Sequence, residues 1–255
     1  MLQTVDMRTV LLMILLGFLA PPSPATAQNA PGLVTVVNER YPGRTGLVPW
    51  AATAGLLEAQ FRQTFPGSKI VSLRDTEPDT LAVRLREAVD AFPQGMPVIL
   101  YLASHQNSDG SWEFARGTLS RGGVIRAVSA AVEGRQTLIF NDSCHAAAWE
   151  KAPWPEGVRC VFFGSARELN TEVDLVNDSR AVAELFVPEP RRLRQEKLPV
   201  VYSFFGVLLL RGAGIRELEK PGQWKEWVGA LDLEAEKIRD AVPMRKFPAL
   251  VTSGF

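Results

Sequence analysis

Apolar residues along this chain come in two rhythms. Short, mainly apolar runs at Leu33–Val37, Lys69–Leu73, Pro97–Ala103, Thr137–Phe140 and Arg159–Phe163 have the length of buried strands. Between them the spacing changes to every third or fourth residue. Ala54, Leu57, Phe61 and Phe65 predict a helix over Trp50–Phe65, and Leu81, Val83, Leu85, Val89 and Phe92 predict one over Thr80–Phe92. Val124, Ile125, Val128, Ala131 and Val132 mark a third over Ser120–Val132, stopped by Gly134. Repeated strand–helix–strand units imply a parallel sheet with helices on both faces, because each crossover must return the chain to the same edge. Strands without polar alternation fit the same picture, since a sheet covered on both sides has no solvent face. The expected fold class is therefore α/β, three layers (α/β/α) around a mostly parallel sheet of about six strands.

The C-terminal third adds a buried helix at Ser203–Leu210, an amphipathic helix at Trp224–Ile238 and a candidate last strand in Phe247–Thr252. Trp224, Trp227 and Leu231 share one helix face, as core residues do. Gly212-Ala213-Gly214 lacks the preceding strand and third glycine of a phosphate loop and reads as a helix C-cap. Cys144–Glu156 has room for one short helix and a turn. Residues 168–199 are polar and charged, with Pro188, Pro190 and an Arg191-Arg192-x-Arg194 cluster, and read as a surface loop or linker.

At 255 residues, 46% hydrophobic and with zero formal net charge, the chain can bury a sizeable core in one domain or two small ones. Balanced charge, with no basic run interleaved with aromatics, argues against a nucleic-acid partner. Arg8, the apolar run Val10–Ala20 and Ala25-Thr26-Ala27 follow the order of a secretory signal. That run, about 11 residues, is too short to span about 30 Å of hydrocarbon. Residues 1–27 are thus expected to be a cleaved signal peptide, the alternative being an uncleaved anchor. The mature chain 28–255 would be secreted or periplasmic, without a membrane span.

Candidate chemistry concentrates where two strands end. Pro97–Ala103 runs into Ser104-His105, and Thr137–Phe140 runs into Asn141-Asp142-Ser143-Cys144-His145. In an open parallel sheet, ligands bind beyond the C-terminal strand ends. A thiolate is the attacking form of cysteine, and an imidazole beside it can take the proton and later return it to a leaving amine. Cys144 is the candidate nucleophile and His105 the candidate base. The backbone N–H groups of Gln106 and Cys144 are candidate donors to an oxyanion. His145, adjacent to the thiol, is expected to be structural. Cys160 opens the following strand at the opposite edge, too far from Cys144 for a disulfide, which needs Cα atoms within about 7 Å. It is expected to behave as a small buried hydrophobe. His105, Cys144, His145 and Cys160 lack metal-ligand pair spacing, so neither a metal nor another cofactor is expected. No G-x-S-x-G elbow supports a serine hydrolase, and no C-x-x-C supports a disulfide-handling protein.

The two strand–motif pairs, in this order, resemble the caspase-like superfamily of cysteine peptidases, with Asp142-Ser143-Cys144-His145 especially similar to metacaspases. The resemblance implies a caspase-like fold and a Cys144–His105 dyad hydrolysing peptide bonds of a peptide or protein substrate. It also implies that Asp142 lines the pocket for the residue before the scissile bond (P1), favouring Arg or Lys. Ser165 and Glu168 would border the same pocket. Without the resemblance, Asp142 reads equally as a carboxylate satisfied by loop amides, and Ser165 as a turn residue. Three positions depart from the family pattern. Gln106 replaces a glycine, Ala146-Ala147 replace Ser-Gly, and Thr53 or Ala54 stands where metacaspases carry an acidic residue. They motivate an alternative reading as a catalytically inactive peptide- or protein-binding module.

Overall fold

The computed structural model describes residues 30–41, 48–163, 203–210, 214–241 and 250–255. The expected signal peptide, the 168–199 loop, Ser165, Glu168 and most of the proposed Gly212–Gly214 cap lie outside these residues.

Strands β1 (Gly32–Val37), β2 (Ile70–Arg74), β3 (Val98–Ala103), β6 (Thr137–Asn141), β7 (Val158–Phe162) and β8 (Val251–Ser253) form one sheet in the order β2-β1-β3-β6-β7-β8. All pairings are parallel except β7 with β8. The helices are α1 (Val48–Thr64), α2 (Leu81–Asp90), α3 (Arg121–Val132), α4 (Phe204–Leu210) and α5 (Trp224–Ala241). The strands and helices foreseen from periodicity are present, with ends shifted by one to three residues; of the last foreseen strand, Val251 and Thr252 lie in β8, while Phe247 to Ala249 fall outside the described residues.

The mainly apolar runs are explained by two separate cores. Residues of one parity, including Leu33, Ile99, Tyr101, Leu138, Phe140 and Val161, pack under α1, α4 and α5. Those of the other, including Val34, Leu100, Leu102, Ile139 and Phe162, pack under α2 and α3. A strand whose two faces are both buried has no polar position to alternate with. Trp224, Trp227 and Leu231 are buried as their spacing foretold. Val83 is an exception to the helical pattern: it is 58% exposed, on the outer face of α2. At about 100° per residue it falls away from the stripe made by Leu81, Leu85, Ala88 and Val89.

The hairpin β4 (Trp112–Phe114) and β5 (Gly117–Leu119) has no counterpart in the sequence reading. Its strands have three residues each, too short for a periodic signal. The hairpin extends the chain leaving β3 and packs through Trp112 and Phe114 into the α2/α3 core.

Candidate active site

β3 and β6 are hydrogen-bonded neighbours running in the same direction, with Leu102 opposite Asn141. Whatever follows each strand therefore emerges at one shared edge. His105 follows β3 by two residues and Cys144 follows β6 by three. Hydrogen bonds join the two segments at and beyond the strand ends. Asp142 N–H donates to Leu102 O (2.9 Å), Ser104 N–H to Ser143 Oγ (3.1 Å), and Gln106 Nε2 to His145 O (2.9 Å). Cys144 is partly exposed and packs on the α1/α4/α5 core, whereas His105 is 8% exposed.

Neither cysteine is in a disulfide. Cys160 sits in mid-strand opposite Ile139 and belongs to the α2/α3 core, so the sheet itself stands between the two sulfurs. Burial pushes the Cys160 thiol well above its ordinary range. The two sulfurs are thus divided by sheet face, beyond the separation of edges that spacing alone suggested.

Tyr41, which the sequence reading passed over, holds the His105 backbone. Its hydroxyl accepts the His105 N–H at 3.0 Å and lies 3.0 Å from Ser104 Oγ. Ser104 Oγ gives its one hydrogen to Glu113 O and accepts from Asn38 Nδ2, so Tyr41 is the donor in the remaining bond. The tyrosine ring meets the imidazole edge-on, centroids 4.2 Å apart. Burial raises the Tyr41 hydroxyl to about 12, which keeps it protonated. A signal for this residue existed: β1 lies beside β3 in the sheet, so a side chain just past β1 arrives at the same rim.

Gln106 is the residue whose N–H was expected to donate to an oxyanion. It bridges Trp112, and the flanking bonds run Asn107 N–H to Ser111 O and Glu113 N–H to His105 O. That pattern makes Gln106 and Trp112 a pair that does not exchange bonds, with the Gln106 N–H directed away from the hairpin. The side chain of Gln106 is buried and forms bonds of its own, taken up below.

Asp142 is buried, 5% exposed. Its Oδ2 accepts from Tyr101 Oη at 2.8 Å and from Ser203 Oγ, while Trp50 Nε1 donates to its backbone carbonyl. Ser203 in turn is bonded to Thr53 of α1. Burial pushes the Asp142 carboxyl up to about 7, opposed by the bonds from Ser203 and Tyr101. Burial and the neighbouring Asp142 also raise Tyr101 well above its ordinary value. Asp142 therefore belongs to a cluster of hydroxyls drawn from α1, β3 and the start of α4, contacts that no local motif announces.

His145 takes a left-handed conformation, φ 54°, and starts the 3₁₀ turn Ala146–Trp149. Its Nδ1 is buried without a hydrogen-bond partner among the described residues. Trp149 stacks on Trp112, centroids 5.4 Å apart, and donates to Gly110 O at 2.8 Å, which fastens the turn after Cys144 to the hairpin after His105. Among the described residues no three His, Cys, Asp or Glu side chains gather as a metal-ligand set, and no helix is long and apolar enough to cross a membrane.

No protein-family model matches the chain, and no curated protein matches it in sequence. Among solved structures it is similar to the crystal structure of caspase-1 from Spodoptera frugiperda, with a TM-score of 0.53 and 9% identity over 88% of this chain and 86% of that chain. At that identity the likeness is one of architecture. Together with the sheet order and the helices on both faces, it establishes a caspase-like α/β fold.

Proposed function

We propose that this chain is an exported cysteine endopeptidase that cleaves peptide bonds through Cys144 and His105. The observation that carries the reading is the joining of two segments from neighbouring parallel strands. Ser104 to Gln106 is hydrogen-bonded to Ser143 and His145, so a partly exposed thiol and an imidazole leave the sheet at one edge. In the proposed reaction His105 takes the Cys144 proton and the thiolate attacks the scissile carbonyl. The oxyanion is held by the Gln106 and Cys144 N–H groups. The imidazolium then protonates the departing amine. Water, deprotonated by His105, cleaves the thioester and releases the acid. No cofactor enters this scheme. On the reading of residues 1–27 as a signal peptide, the enzyme acts in the periplasm or outside the cell.

Asp142 supports a preference for Arg or Lys at P1, with Ser165 and Glu168 as further contacts to the same side chain. A carboxyl raised to about 7 pairs with a cation only once ionised, so selectivity for P1 Arg over a neutral P1 rises with pH through about 7.

The test is labelling by an acyloxymethyl-ketone peptide carrying P1 Arg. Labelling is expected at Cys144, absent in Cys144→Ala, and at least tenfold slower in His105→Ala. Failure of the folded wild type to label with any P1 side chain would overturn the enzyme reading in favour of an inactive peptide-binding module.

A further inference from the structure

We propose that Gln106 is a positioning residue whose side-chain amide braces the turn carrying Cys144 from both flanks. The inference rests on the reading of Cys144 as a nucleophile. The amide oxygen accepts from Asn141 Nδ2 at 3.1 Å and from Trp112 Nε1 at 3.2 Å, and the amide nitrogen donates to His145 O at 2.9 Å. An indole N–H can only donate, so the atom facing Trp112 is the oxygen and the orientation of the amide is settled by its partners.

Asn141 and His145 lie three residues before and one after Cys144. Asn141 continues the brace inward, its Oδ1 accepting the Ser143 N–H at 3.1 Å. At the other flank the bond to His145 O fixes the peptide plane of a residue in the left-handed region, a conformation that non-glycine residues disfavour. One buried side chain on the His105 segment thus sets the path of the chain on either side of the sulfur. The turn cannot rotate without costing the Trp112 indole, the Asn141 amide or the Gln106 amide nitrogen its partner, whereas His145 O keeps the Ala148 N–H at 2.9 Å. A glycine at 106 could present the same backbone N–H but could not brace the turn. The bulk at this position is accordingly a support for the site and not an obstruction of it.

The ionisable groups on the joined segments are His105, Asp142 and His145, with Glu113 on the hairpin whose N–H binds His105 O. The brace sets how the sulfur meets them. The experiment is the pH profile of iodoacetamide alkylation at Cys144, read by peptide mass spectrometry in the full-length wild type, Gln106→Met and Gln106→Gly. The brace predicts that both variants, folded by circular dichroism, show a midpoint about one pH unit higher and alkylation about tenfold slower near pH 7. A wild-type midpoint in either folded variant would overturn it. In the wild type, the Gln106 side-chain amide protons should exchange with solvent at least tenfold more slowly than those of exposed glutamines. Free exchange overturns the brace even if no variant folds. Iodoacetamide needs no peptide recognition, so a shifted midpoint without peptidyl-ketone labelling would uphold the brace and sink the peptidase reading. The reverse pattern would do the opposite.

Discussion

Tyr41 and Asp142 are the residues whose roles depend most on surroundings far away in sequence. Tyr41→Phe keeps the ring against His105 but removes the acceptor of its N–H and the donor to Ser104. A buried amide left unsatisfied costs about 1–3 kcal/mol, so chemical denaturation should show a loss of that order. Labelling at Cys144 should slow as the His105 backbone loosens. Asp142 makes stability depend on pH. Its carboxyl titrates near the usual value of about 3.9 in the unfolded chain but at about 7 in the fold. Between those values the unfolded chain releases a proton that the fold retains, so stability falls as pH rises through the window, by of order 4 kcal/mol, and the slope vanishes above it. Asp142→Asn should flatten this part of the pH–stability curve measured by urea unfolding. Were the slope unchanged in the variant, another group would be responsible.

At the scale of elements, the start of α3 is set by local chemistry as well as by packing. Ser120 caps α3, its hydroxyl accepting the Gly123 N–H at 3.2 Å. Ser120→Ala should cost about 1 kcal/mol in thermal or chemical unfolding and leave labelling of Cys144 unchanged, because the cap is exposed and its bond stays within the first turn of α3. Periodicity located the long elements for a physical reason: a helix or strand that buries one face repeatedly must repeat apolar residues at its own spacing. The β4–β5 hairpin escaped because it is held by tertiary contacts, the bridge of Gln106 to Trp112 and the stacking of Trp112 on Trp149, and not by a repeat of its own. Val83 was misplaced for the opposite reason, an apolar residue near the right spacing that packing leaves in water.

Across the whole molecule, the face carrying Cys144 is tied to the C-terminal helices by an aromatic cluster. Phe140 of β6 lies 5.0 Å from Phe205 and 5.4 Å from Trp227, and Phe163 stacks on Phe205 at 4.5 Å between centroids. Phe140→Ala would open a cavity between the strand that leads into Cys144 and both α4 and α5. The expected loss is about 3–5 kcal/mol, a large part of the roughly 5–15 kcal/mol that stabilises a domain. The melting temperature should fall by several degrees, and labelling of Cys144 should decline with the folded fraction. A variant as stable as the wild type would show that this aromatic contact is replaceable.

By itself the amino-acid order determined the alternation of strands and helices, the parallel sheet and the two strand ends at which a thiol and an imidazole are delivered. Each is dictated by local periodicity and by the short reach of a crossover connection. Only the tertiary structure decided what surrounds those groups. Tyr41 meets His105, the Gln106 side chain reaches His145, and Ser203 meets Asp142, between residues 64, 39 and 61 positions apart. Side chains that far apart have no spacing to betray them. They are brought together by the order β2-β1-β3-β6-β7-β8, which sets at one rim residues that the chain itself keeps apart.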